Sequence, residues 1–318
     1  RGASREGDVM SRILTFEPDM PPLGRAVVAI GVFDGVHLGH QALVRNAMER
    51  AAALDAAAVV LTFDRDPDRV VMPANAAPQL LELDDKVRLL SAIGPDAILV
   101  VPFDTALASL TPNAFIDQVI LAATRPVAIV VGKDFRFGNA ASGDLGTMAA
   151  AGTLHGFEVV GQDLLHHDGA PVTSTRVRGL LADGDVATAA RLLGRPHFVV
   201  GRVTHGRGEG RALGVPTANI ATHSWTALPQ DGVYAGRIVH EGVTFPCGVS
   251  VGVPPSFPQS IDRLEAHLLD YSCPDLYGVT LNVEFIARIR EQRRFDGHAE
   301  LTRAIAEDLT RVRELVGE

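Results

Sequence analysis

The residues best placed to do chemistry form one short string, Gly31-Val32-Phe33-Asp34-Gly35-Val36-His37-Leu38-Gly39-His40. It follows an apolar run and precedes a helical pattern, so it sits where a strand turns into a helix. Such a turn offers unpaired backbone N–H groups and the positive end of a helix dipole, both of which attract phosphate. Gly31, Gly35 and Gly39 let the main chain approach a ligand closely. His37 and His40 are three apart and share a face of the first helical turn. Two imidazoles there can donate hydrogen bonds to a phosphate and to the charge that grows on it during displacement. The same pair also reads as helix caps or as half of a metal site, although no third ligand stands nearby for zinc.

A second string lies near the middle of the chain: Gly206-Arg207-Gly208-Glu209-Gly210-Arg211-Ala212-Leu213-Gly214-Val215-Pro216-Thr217-Ala218-Asn219. Its glycines allow a loop to wrap a polyphosphate through backbone N–H groups. It is not a Walker loop, because no Gly-Lys-Ser/Thr follows. Thr217 and Asn219, two apart in an extended chain, point to one side. Their neutral oxygens suit Mg²⁺ arriving with ATP. A glycine-rich hairpin is the alternative. Between the two strings, Ser174 and Thr175 stand at a helix start, where they cap the helix or donate hydroxyls to phosphate. Arg178 lies one turn further on and can hold a triphosphate with paired N–H groups. Asp134 reads as an acceptor for a sugar or base, or as a turn residue.

The elements that must position these groups fall into two sets. A length of 318 residues makes two domains the first expectation, at about 150 residues each. Ala26–Phe33, Ala57–Phe63, Ala97–Pro102, Val127–Gly132 and Phe157–Val160 read as buried strands. Helical stretches lie between them at Leu38–Leu54, Asp85–Ala92 and Thr111–Leu121. Alternation of this kind implies a parallel sheet covered on both faces, with ligands beyond the carboxyl ends of its strands, where Gly31–His40 lies. After a short helix, Val186–Leu193, the pattern changes to strands: Phe198–Thr204, Gly232–Val239, Thr244–Val251, Arg263–Tyr271 and Thr280–Phe285. Many strands at short spacing imply a barrel or a sandwich. Leu301, Ile305, Leu309, Val312 and Leu315 form the stripe of a closing amphipathic helix. The expected domains are 10–186 and 187–318.

Composition narrows the function. With 29 Lys and Arg against 38 Asp and Glu, the net charge of −9 argues against a broad nucleic-acid binder but leaves room for a nucleotide pocket. Cys247 and Cys273 are too few for a disulfide framework or a four-ligand zinc site, which fits a reducing compartment. No apolar run approaches the roughly 18 residues that span a bilayer. The expected location is the cytoplasm, without membrane partners. Arg1–Val9 is polar, lacks an apolar secretory core and is left out of the fold reading.

The first string resembles the His-x-Gly-His nucleotidylyltransferase superfamily, and in particular the adenylyltransferase module of prokaryotic bifunctional riboflavin kinase/FAD synthetases. Gly132-Lys133-Asp134-Phe135-Arg136-Phe137-Gly138 is similar to that family's Gly-x-Asp-Phe-Arg-Phe-Gly segment. Ser174-Thr175-Arg176-Val177-Arg178 is similar to its Ser-Ser-Thr-x-x-Arg motif. The second string resembles the signature of riboflavin kinases, with Val215 where the family has Phe. Gly232-Val233-Tyr234-Ala235, Leu264–Tyr271 and Asp275–Gly278 follow in the family's order.

The resemblance implies an α/β, Rossmann-like nucleotidylyltransferase domain with a parallel sheet, then an all-β kinase barrel with a terminal helix. It implies that ATP phosphorylates riboflavin to FMN and then adenylylates FMN to FAD, with Mg²⁺ carried by the ATP. Glu265 would be the kinase base, since a ribityl hydroxyl must lose its proton as it attacks phosphorus. Thr217 and Asn219 would hold the metal, and Gly206, Gly210, Gly214 and Pro216 the phosphates. Gly31, Phe33, Asp34, Gly35, Gly39 and Asp134 would line the other nucleotide site, with His37 and His40 catalytic and Ser174, Thr175 and Arg178 on the triphosphate. His267 reads as structural. Two departures stand out. Thr62-Phe63-Asp64-Arg65-Asp66-Pro67 replaces a Thr-Phe-x-Pro-His-Pro stretch that lies on the flavin side in the family, and Pro255-Ser256-Phe257 replaces Pro-Thr-Phe. The first departure admits a kinase with a weakened or retargeted front module. A flavin-binding regulator without turnover is the further alternative.

Overall fold

The computed structural model describes residues 11–205, 215–253, 263–271 and 276–317. The chain divides into two compact units between Thr173 and Ser174. The first contains β1 (Arg12–Thr15), β2 (Arg25–Ile30), α1 (Leu38–Ala53), β3 (Ala57–Phe63), α2 (Asp68–Val71), α3 (Leu83–Ser91), β4 (Ala97–Val101), α4 (Thr105–Ser109) and α5 (Pro112–Phe115). It continues with β5 (Arg125–Gly132), α6 (Leu145–His155), β6 (Glu158–Gln162) and the small hairpin β7 (His166–His167) and β8 (Ala170–Pro171).

Six strands form one sheet in the order β1-β4-β3-β2-β5-β6, every pairing parallel. β2, β3 and β4 are apolar almost throughout because both faces are covered, as the sequence predicts for a parallel sheet. β2 lies between β3 and β5, so the order of succession reverses at its carboxyl end. That is the switch point at which such sheets leave a crevice for ligands. The 31–37 loop leaves from there.

The sequence expectation places nothing at α2, α4 or the β7–β8 hairpin, and three further elements differ from it. β1 is a short edge strand with mostly exposed side chains, so it carries no apolar run to reveal it. α6 is hidden by its glycines. A Cβ on Gly152 would lie 2.6 Å from the Phe157 carbonyl oxygen, so glycine is what lets this helix pack on β6. The helix expected over Thr111–Leu121 starts as predicted, with the Thr111 hydroxyl accepting from Ala114 N, then widens to a π-turn over Ile116–Leu121. That turn buries Ile116, Val119 and Ile120.

The second unit begins with α7 (Ser174–Ala182) and α8 (Val186–Leu193) and ends with α9 (His298–Val316). Between them lie β9 (His197–Thr204), β10 (Ala218–Ala221), β11 (Gly232–His240), β12 (Val243–Val251), β13 (Leu264–Leu268) and β14 (Thr280–Arg290). These six close into an antiparallel barrel, β10-β13-β12-β11-β14-β9, which decides between barrel and sandwich. β14 runs five residues past its predicted end, because register shifts against β11 break the alternation that the sequence displays. β13 stops at Leu268, two residues before Asp270 takes a left-handed φ of 58°.

α8 spans the predicted residues, with Asp185 accepting from Thr188 N and Gly194 ending it at φ 72°. α9 packs through Ala304 and Val312, with Leu309 against Gly248. Its buried Asp308 holds Arg290 by a paired ion bridge, at 2.7 Å and 3.0 Å. Cys247 is buried, and Cys273 lies outside the described residues.

Candidate active sites

In the first unit, the loop after β2 has an unusual backbone. Phe33, Gly35 and Val36 all have positive φ, at 55°, 85° and 40°. A β-branched Val there costs on the order of 1–3 kcal/mol, so the surroundings must hold it. Several braces do so. The Asp34 carboxylate accepts from Leu80 N at 3.0 Å and Leu81 N at 3.1 Å. The Lys86 ammonium, on α3, donates to Phe63 O at 2.6 Å and Val32 O at 3.2 Å. Thr62 Oγ1 also donates to Val32 O, and Gln41 Nε2 to Val36 O. Burial pulls the Lys86 ammonium down to about 8, with Asp34, Asp66 and Asp64 opposing that shift.

His37 is the N-cap of α1, and its Nδ1 accepts from His40 N at 3.2 Å. The ring proton is therefore on Nε2, which becomes the donor. The His40 ring stacks on that of His37 at 3.5 Å between centroids and 17° between planes. Phe33 backs His40 edge-on at 5.2 Å. Two of the glycines make room for these rings. A Cβ on Gly31 would lie 3.2 Å from the Phe33 ring, and one on Gly39 3.2 Å from that of His37. Sequence reading assigned both glycines to the ligand; the structure adds an aromatic neighbour to each.

The stretch that departs from the family pattern ties strand ends together. Asp64 accepts from Phe103 N at 2.7 Å and from Arg65. Asp66 accepts from Asp68 N, at the start of α2. Asp134 is exposed in the turn after β5, where Phe135 N donates to Gly132 O. Ser174 and Thr175 open α7, with Arg178 one turn on. That helix belongs to the second unit by its packing, and Leu181 O accepts from Gln230 N there.

The barrel assembles the second site by register. Asn219 on β10 stands directly opposite Glu265 on β13. Ala218 and Ala266, paired beside them, are buried in the interior, so Asn219 and Glu265 share the other face. Directly opposed side chains on antiparallel strands have Cβ atoms about 5 Å apart. Asn219 is 8% exposed. Thr217 is half-exposed one residue before β10. The ring of His267 contacts Pro216 O at 2.7 Å through Nδ1, which fixes the residue before Thr217. Gly206, Gly210 and Gly214 lie outside the described residues, as do Pro255, Ser256 and Phe257.

Sequence reasoning missed the bracing roles of Lys86 and Thr62. Lys86 left one signal, a Lys on the apolar stripe of α3 beside Val87 and Leu90, all three buried.

Two family models match the chain: one described as FAD synthetase over residues 19–176 and one as riboflavin kinase over residues 193–316. The bifunctional riboflavin kinase/FMN adenylyltransferase of Escherichia coli K12 is 36% identical over 297 residues, covering 93% of this chain and 94% of the relative. That of Pseudomonas fluorescens is 37% identical over 290 residues, covering 91% and 92%. A crystal structure described as a macrolide-efflux protein from Streptococcus pneumoniae superposes with a TM-score of 0.82 at 29% identity, covering 95% of this chain and 98% of the other. Among the described residues no helix is long and apolar enough to cross a membrane. The chain belongs to the bifunctional riboflavin kinase/FMN adenylyltransferase family, whose members make FAD by phosphorylating riboflavin with ATP and then adenylylating the FMN.

Proposed function

We propose a division of labour in which each unit binds ATP with a different phosphorus atom facing the flavin. In the barrel, Glu265 orients the ribityl hydroxyl and accepts its proton as the oxygen attacks the γ-phosphorus; ADP leaves. The observation that carries this is the direct pairing of Asn219 with Glu265, which sets a carboxylate beside a hard neutral donor on one face. Thr217 and Asn219 fit Mg²⁺ by donor type. Among the described residues no group of three or more His, Cys, Asp or Glu is placed to hold a metal ion; in the proposed site ATP and water would supply the remaining ligands. Bound there, the ion would neutralise charge on the phosphates. Gly206, Gly210, Gly214 and Pro216 are the proposed phosphate cover.

In the first unit, an oxygen of the FMN phosphate attacks the α-phosphorus and pyrophosphate leaves. The Nε2–H of His37 and the stacked ring of His40 stabilise the charge that develops. Gly31, Phe33, Gly35 and Gly39 line the nucleotide site, and Asp34 holds the loop in shape through Leu80 and Leu81. Asp134 takes a sugar or base group. A cytoplasmic location without nucleic-acid or membrane partners completes the reading.

Labelled ATP tests the two phosphorus assignments. With riboflavin and γ-labelled ATP, both FMN and FAD should carry label after chromatography. With α-labelled ATP, FAD alone should. Label from the α position in FMN, or FAD without it, would overturn the proposal.

A further inference from the structure

The barrel carries a second polar pair on the opposite side of Glu265 from Asn219. β12 flanks β13 there, and Ser250 stands directly opposite Glu265 in the register. Its neighbours Val249 and Val251 are fully buried in the interior, so Ser250 shares the outer face with Glu265 and Asn219. The three side chains form a row across adjacent strands, at about 4.8 Å per strand.

Gln292, two residues beyond β14, fixes the state of this serine. Its Nε2 donates to Ser250 Oγ at 2.8 Å and to Val251 O at 3.3 Å. The carbonyl can only accept, so chemistry sets the amide with its nitrogen toward β12. Ser250 Oγ therefore receives a hydrogen bond, and its own O–H is left to donate to another acceptor. The half-buried hydroxyl is thus a pre-oriented donor one strand away from the proposed base.

In-line transfer places the attacking and leaving oxygens on opposite sides of the phosphorus. Thr217 and Asn219 set the phosphate side on β10. The chain that carries the attacking hydroxyl must then run from Glu265 the other way, over β12. A ribityl chain bears further hydroxyls behind its terminal one, and each oxygen can accept a hydrogen bond. We infer that Ser250, oriented by Gln292, binds a secondary hydroxyl of riboflavin's ribityl chain. This rests on the reading of Glu265 as base and of the Asn219 side as the phosphate side.

The test uses the full-length chain and two flavins: riboflavin and a flavin with an unbranched hydroxypentyl chain, which keeps only the terminal hydroxyl. S250A should raise the riboflavin KM about five- to tenfold, as loss of one hydrogen bond to substrate does. It should leave the ATP KM and the adenylylation of supplied FMN unchanged. S250T, which keeps a hydroxyl, should restore the riboflavin KM. The hydroxypentyl flavin should be phosphorylated equally by the wild type and S250A, because it has nothing for Ser250 to hold. An unchanged riboflavin KM in S250A, or an equal penalty on both flavins, would overturn the inference; the second result also covers a barrel that S250A merely loosens. E265Q separates the two levels. If E265Q phosphorylates riboflavin normally, the underlying reading fails. If E265Q is inactive and S250A is normal, the ribityl contact alone fails.

Discussion

Lys86→Met should change how the first unit's stability depends on pH. In the wild type the Lys86 ammonium lies near pH 8, against 10.5 for a free lysine, chiefly because burial strips its water. The unfolded chain therefore holds more protons than the folded one between pH 8 and 10.5, and stability rises with pH across that window. At about 1.4 kcal/mol per pH unit, the gain is about 3 kcal/mol; it is fully present above 10.5 and lost as pH falls through 8. Met carries no charge, so it escapes the cost of about 3 kcal/mol that the wild type bears at pH 7, but it leaves the Phe63 carbonyl without the donor at 2.6 Å, which costs about 1–3 kcal/mol at any pH. Val32 O keeps its bond from Thr62. The two effects nearly cancel at pH 7, and the variant should be clearly less stable at pH 10. Urea unfolding followed by circular dichroism reports both units. Fluorescence of the single Trp, Trp225, reports the second unit, so their difference isolates the first. Parallel pH dependences for the wild type and K86M would refute the reasoning.

Three further outcomes follow from particular contacts. His197 is buried, with Nε2 2.8 Å from Ala227 O, and burial pulls it down to about 4. The wild-type barrel should then lose about 3 kcal/mol as pH falls from 6.5 to 4, while H197L, less stable at pH 7, lacks that slope; Trp225 fluorescence in urea reads both. In G39A the new Cβ would stand 3.2 Å from the His37 ring and 3.3 Å from Val172 O, so the ring should shift. FMN adenylylation should fall about tenfold or more in kcat/KM with riboflavin phosphorylation unchanged, and equal loss in both assays would count against it. A fragment from Ser174 to Glu318 should phosphorylate riboflavin. One starting at Ala187 loses the Asp185 cap and buried Val177, Leu181 and Val186, and should melt at least about 10 °C lower by calorimetry.

The parts of this fold that the sequence reveals are those whose signal is local. β2 to β4 are legible because a strand covered on both faces is apolar along its whole length. α8 is legible at both ends because its cap, Asp185, and its stop, Gly194, stand beside it. β14 reads as too short because its bulges are set by pairing with β11, which no local period encodes. α6 is not legible because Gly152 serves a contact with Phe157 and Val159, which no local signal encodes. The sites divide in the same way. The spacing of His37 and His40 announces a shared face, and the two stack. Lys86 reaches carbonyls 23 and 54 residues away, and Asp34 reaches amides 46 and 47 residues away, so neither role has a nearby signature. Gln292 and Ser250 meet across 42 residues for the same reason.

In the proposed division of labour the two clusters work separately, one for each reaction. The most direct measurement assays two full-length variants, E265A and H37A, each for riboflavin phosphorylation and for adenylylation of supplied FMN. E265A should lose the first activity and keep the second, and H37A should keep the first and lose the second, so that FMN accumulates. Loss of both activities in either folded variant would contradict the account.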